Sequence, residues 1–184
     1  MQRISYILLL GFILIIVTGC QNSEQTSMSF HSGNDKVEKS NLIKAVLSES
    51  IDTKDMTKLD EFSCDLDLDN SEEKIGLYTA AKLNVNGKMM YNDGQNWLLA
   101  VWDGEKVYPL LSEYVQNGSV YFTVSKNGIE DASKEITHIN VIINTGTKFS
   151  VTTCSFNKDK DGFVERNVYT SNDYNFVYSS IPNY

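Results

Sequence analysis

Histidine, proline and cysteine are scarce: 184 residues contain two, two and three of them. With so little histidine the usual general base is nearly missing, since His31 stands in a polar stretch and His138 stands alone in a strand-like one. No G-x-S-x-G elbow, H-E-x-x-H pair, P-loop or C-x-x-C pair occurs. The common nucleophilic, zinc-hydrolase, nucleotide and dithiol chemistries therefore lack their residues, and the expectation is a protein that is not an enzyme. Proline scarcity has a different consequence. With only Pro109 and Pro182, almost every backbone N–H remains available to a sheet. Beyond the first twenty residues no apolar run approaches the roughly 18 residues that a spanning helix needs. Basic side chains are the minority as well, 16 Lys and Arg against 24 Asp and Glu for a net charge of −8. Such a surface repels nucleic acid and anionic head groups.

What is present begins with MQRISYILLLGFILIIVTGC, in which Arg3 precedes an apolar run from Ile4 to Val17 and small residues lead to Cys20. A run this short, with a basic residue ahead of it, reads as a secretory leader and not as a spanning helix. Val17, Thr18, Gly19 and Cys20 resemble the bacterial lipobox, whose cysteine is acylated and becomes the mature N-terminus. The resemblance implies a signal peptide over residues 1–19, a lipid on Cys20, and a place on the extracytoplasmic face of the cell membrane. Each buried methylene of an acyl chain contributes about 0.8 kcal/mol, so two or three chains hold a protein at a bilayer far longer than one. Without the resemblance, Cys20 is an ordinary cysteine beside an ordinary cleavage site.

The stretch QNSEQTSMSFHSGNDK that follows is polar and aperiodic, and buries too little to offset its ordering entropy. Residues 20–36 are thus expected to form a flexible tether, and residues 37–184 a single extracytoplasmic domain. In VEKSNLIKAVLSESI, the residues Val37, Leu42, Ile43, Val46 and Leu47 fall at helical spacing, which predicts one amphipathic helix capped by Ser40 or Asn41. Past residue 75, apolar and aromatic runs alternate with Asn86-Gly87, Asp93-Gly94, Asp103-Gly104, Asn117-Gly118, Asn127-Gly128 and Asp161-Gly162. Asn or Asp followed by Gly suits the positive φ of tight hairpins. The expected fold is α+β: a mostly antiparallel β meander, one face covered by the N-terminal helix.

Between Leu59 and Glu73 stand seven carboxylates, Asp60, Glu61, Asp65, Asp67, Asp69, Glu72 and Glu73, with no Lys or Arg among them. Like charges 4 Å apart at an effective dielectric near 20 repel by about 4 kcal/mol, so the crowding calls for compensation. A hard divalent cation supplies it, because calcium takes six to eight oxygens at about 2.3–2.6 Å in a flexible loop. Asp65, Asp67 and Asp69 hold loop positions 1, 3 and 5, with the Ser71 carbonyl at 7 and Glu73 at 9. This spacing resembles the D-x-D-x-D-G-x-x-D calcium loop of integrin-type β-propeller repeats and the DLDGDGKEE segment of many secreted and lipid-anchored bacterial proteins. The resemblance implies Ca²⁺ on Asp65, Asp67, Asp69, Ser71 and Glu73; Leu68 and Asn70 stand where those loops carry glycine. A solvated acidic turn and a catalytic carboxylate pair are the other readings of the same residues. NKDKDGFVE repeats the layout with Asn157, Asp159, Asp161 and Glu165, and a plain hairpin turn accounts for it equally.

Cys64 and Cys154 remain. Outside the cytoplasm they either pair, closing a loop of about 90 residues for about 4 kcal/mol, or stay as two buried free thiols. Trp97, Trp102 and the alternating Tyr174, Phe176 and Tyr178 of the tail serve either a core or a sugar-stacking strip. Together these features are similar to lipoproteins of Gram-positive-type bacteria. They suggest a membrane-anchored binding or interaction module, a carbohydrate or cell-wall binder, or, least of all, an envelope hydrolase. The partner would be a protein or glycan at the envelope.

Overall fold

Strand-forming alternation governs nearly all of the chain that the computed structural model describes, residues 41–127 and 135–172. In chain order the strands are β1 (Asn41–Lys44), β2 (Val46–Leu47), β3 (Thr57–Cys64), β4 (Glu73–Thr79), β5 (Lys82–Leu83), β6 (Met89–Met90), β7 (Gly94–Asp103), β8 (Lys106–Gln116), β9 (Gly118–Lys126), β10 (Thr137–Thr145), β11 (Lys148–Asn157) and β12 (Gly162–Asn172). One sheet has the order β1-β12-β11-β10-β9 and the other β2-β8-β7-β4-β3, with β5-β6 a small separate hairpin. Every pairing is antiparallel.

The expected helix over residues 37–51 is corrected where the structure describes it. Asn41–Lys44 and Val46–Leu47 are strands, followed by a single 3-10 turn at Ser48–Ser50. Residues 37–40 lie outside the described residues. The apolar cluster Leu42, Ile43, Val46, Leu47 fits a helix, but Ile43 and Ala45 also alternate, and these two pack against the core. Pairing with Phe163 and Val107, far away in sequence, decides between the two periods. The cover over each sheet is accordingly the other sheet, and among the described residues no α-helix takes part in the fold.

Two strands pass from one sheet to the other. Ala45 separates β1 from β2, and Asn117 separates β8 from β9. Since β2 pairs with β8 and β1 with β12, the pairings form a ring from β12 through β1-β2 and β8-β9 to β10, β11 and back to β12. Strands that change sheets at a bend are how orthogonal sandwiches make their corners. At the β8-β9 corner Asn117 adopts φ 48. The glycine after it is required by proximity, because a methyl group at Gly118 would lie 2.5 Å from the Asn144 carbonyl oxygen. The Asp161-Gly162 turn repeats this division of labour: Asp161 takes φ 45, and a methyl on Gly162 would meet the Ile43 carbonyl at 2.6 Å.

The core lies between the sheets. Ile75, Leu77, Leu99 and Val101 of one sheet face Val120, Ile139, Val141 and Cys154 of the other, all nearly or wholly buried. Tyr108 joins the two halves by meeting Phe163 edge-on at 5.2 Å and Phe156 at 5.8 Å. On β10 the two faces divide: Thr137, Ile139 and Val141 are buried, while His138 and Asn140 are only partly so. In the structure Cys154 is buried and Cys64 half-buried, and both stand as free thiols. Burial pushes the Cys154 thiol up to about 12, which keeps it un-ionised and unreactive.

The edge strand β3 carries Lys58, Asp60 and Glu61, and its pairing with β4 is interrupted by a bulge between Lys58 and Asp60. Charge and irregularity on an edge discourage pairing with a second chain.

Candidate metal centre

The connection from β3 to β4 is drawn inward by its own carboxylates. Asp65 accepts the amides of Asp69 and Asn70 at 3.1 and 3.0 Å, Asp67 accepts that of Asp69 at 3.0 Å, and Asp69 accepts that of Ser71 at 2.7 Å. Satisfying these bonds turns the chain back on itself and leaves Leu68 at φ 61 and Asn70 at φ 71. Both occupy places where the resembled loops have glycine; Asn tolerates this conformation better than Leu does. Leu66, with 6% exposure, pins the loop to the core. Its amide donates to Glu73 at 2.6 Å, which holds that side chain inward at the first residue of β4.

The outcome is a compact donor set. Asp65, Asp67, Asp69 and Glu73 each present an oxygen, and the four oxygens lie within 4.8 Å of one another. This group could hold a metal ion. Ser71 contributes its amide to the turn. Glu73 is only 4% exposed, and burial raises its carboxyl above the ordinary range, opposed by the Leu66 amide and reinforced by the charges of Asp67, Asp103 and Asp65. Asp67 is raised too, first by burial and then by the charge of Asp69. In both, burial is the larger cause and the neighbouring carboxylates add to it.

Not all seven carboxylates belong to this group. Asp60 and Glu61 sit in β3, where Glu61 meets Lys58 at 3.0 Å and Lys74 at 3.7 Å. Glu61 is thus compensated by a lysine of its own strand and one of β4, while Asp60 accepts the Glu61 amide at 2.8 Å. The second acidic stretch is the β11-β12 hairpin: Asn157 caps it by accepting the Lys160 amide at 2.9 Å, and Asp161 pairs with Lys106 at 3.7 Å. It does not form a donor cluster of its own among the described residues. Its importance is its position, for Lys158 reaches the Leu68 carbonyl at 3.3 Å, so the two acidic segments meet at one end of the molecule.

Two residues beside the centre escaped the sequence reading. Asp103 ends β7, and Tyr108 in β8 belongs to the same sheet. The ladders place Lys74 opposite Trp102 and Asp103 opposite Lys106, which brings Glu73 and Asp103 to the same end of that sheet. No spacing rule links positions 73, 103 and 108; only the strand register does.

The other proposed sites fare differently. Trp97 is 1% exposed and stacks on Tyr91 at 6.2 Å inside the fold, so it cannot serve a glycan-stacking strip. Trp102 is partly buried and packs on Tyr78 at 5.4 Å, above Gly76, where a methyl would strike both rings. The tail tyrosines, His31 and Cys20 lie outside the described residues. His138 bonds Asn127 at 3.0 Å. No protein-family model matches this chain, and neither does any curated protein or solved structure.

Proposed function

We propose that this chain is a lipid-anchored, extracytoplasmic binding module without enzymatic activity, and that calcium organises one end of its β fold. The observation that carries the reading is the set of four carboxylate oxygens within 4.8 Å of one another at the β3-β4 turn. Calcium takes six to eight oxygens at about 2.3–2.6 Å in flexible loops, which suits a carboxylate-rich turn of this kind, whereas magnesium demands a near-ideal octahedron at about 2.0–2.1 Å and keeps several waters. Asp65, Asp67, Asp69 and Glu73 would supply the charge, and the Ser71 carbonyl a neutral oxygen. The ion would offset the burial and the mutual repulsion that raise Asp67 and Glu73, and would tie the loop to the sheet on which a protein or glycan partner docks.

Titrating Ca²⁺ into the metal-free chain by calorimetry should give a binding heat at one ion per chain, and Mg²⁺ a weaker one. Absence of any calcium heat would reject the ion site. Anchoring rests on Val17-Thr18-Gly19-Cys20 and has its own test. Expressed in a bacterial host, the chain should incorporate labelled palmitate and partition into detergent, whereas Cys20→Ser should do neither; equal partitioning of the two would remove the anchor.

A further inference from the structure

The Tyr108 hydroxyl is a buried polar atom with no hydrogen-bond partner, on a residue only 2% exposed. A buried donor left unpaired costs about 1–3 kcal/mol, and an orphan of this kind in a folded protein calls for an explanation, an ion or water among them. The ring is fixed by edge contacts to Phe163 and Phe156, so the hydroxyl cannot swing away to solvent. The charges acting on it are those of Asp161, Asp103, Asp67 and Glu73, two of which belong to the calcium-type donor set. Tyr108 lies opposite Val101 across the ladder, two residues from the Asp103-Lys106 pair, which places the residue near the acidic end of that sheet. Burial, with those charges, pushes the phenol up to about 12; it remains neutral and keeps its proton.

We propose that Tyr108 is a positioning residue of the ion site, which receives a hydrogen bond from a water molecule bound to the cation on the core side of Asp67 and Glu73. The inference rests on the calcium reading above and adds a residue to it. Four carboxylates and one carbonyl leave calcium short of its six to eight oxygens, and water fills the remainder. A cation polarises its bound water into a strong donor, and on the buried side such a water needs a protein acceptor. Tyr108 offers that acceptor and, being neutral, keeps its own proton. Outer partners of this type are worth about 10- to 100-fold in metal affinity.

Tyr108→Phe removes the hydroxyl and leaves the ring contacts. In the full chain, calorimetric titration with Ca²⁺ should show binding weakened by about tenfold or more, while the melting midpoint of the metal-free variant stays equal to or above that of the parent. A purely structural role would have the opposite pattern, a lower metal-free midpoint with unchanged affinity, and that result overturns the proposal. If the parent binds calcium and the variant binds it equally well, Tyr108 has no part in the site although the site stands. If the parent itself gives no calcium heat, the ion site and this inference fall together.

Discussion

Phe163→Ala should lower the unfolding free energy by about 3–5 kcal/mol, a large share of the 5–15 kcal/mol that holds most domains folded. The size of the effect follows from position. Phe163 is 1% exposed, lies opposite Ile43 of β1 and Phe156 of β11, and touches Tyr108 of the second sheet edge-on. Truncation would open a cavity where both sheets and the sheet-crossing strand meet, leaving little freedom for neighbours to collapse into it. Urea unfolding measures the loss directly. A decrease below about 1 kcal/mol would mean that the two sheets do not share this core.

Calcium should raise the melting midpoint of the chain. At a hundredfold excess over its Kd the ion stabilises by about 2.7 kcal/mol through linkage, or roughly 10 °C for a domain of this size, and Asp67→Ala should abolish the rise. The pH dependence has a defined sign. Burial and neighbouring charge raise Asp67 and Glu73 in the folded state, so the folded chain holds those protons more tightly than the unfolded chain does. The stability this contributes is present below the ordinary carboxylate range and is lost as pH rises through the raised values. Without metal the midpoint contribution of these groups should therefore fall from pH 4 toward neutrality. Calcium, which displaces those protons, should stabilise more at pH 7 than at pH 4. Melting curves at the two pH values with and without Ca²⁺ check both statements, and a larger calcium effect at pH 4 would contradict them.

Much of the sheet content was legible because its signals are local. Alternation along Thr137, Ile139 and Val141, and turns such as Asp103-Gly104, need no distant partner to be recognised, and β7 through β12 appear where the runs predicted them. The Asp65, Asp67, Asp69 and Glu73 set was legible for the same reason, as spacing within a single loop. The failures share the opposite cause. Asn41–Leu47 reads as helix until Phe163 and Val107 arrive as strand partners. Asp60 and Glu61 read as part of an acidic loop until β4 pairs with them and brings Lys74 alongside. Tyr108 and Asp103 reach the candidate centre only through register, and Lys158 only because two turns distant in sequence share one end of the fold. Non-local pairing, weakly written in composition, decided each of these.

The β1-β12 ladder joins Asn41 to Glu165 and Lys44 to Gly162. Its two strands are made at opposite ends of the described chain, so the last ladder of the ring waits until β12 has been synthesised. A topology rich in such distant contacts folds slowly, because loop-closure entropy is spent before the contacts reward it. Until then Ile43 has no strand partner. The nascent chain is thus held short of its final form by its own connectivity.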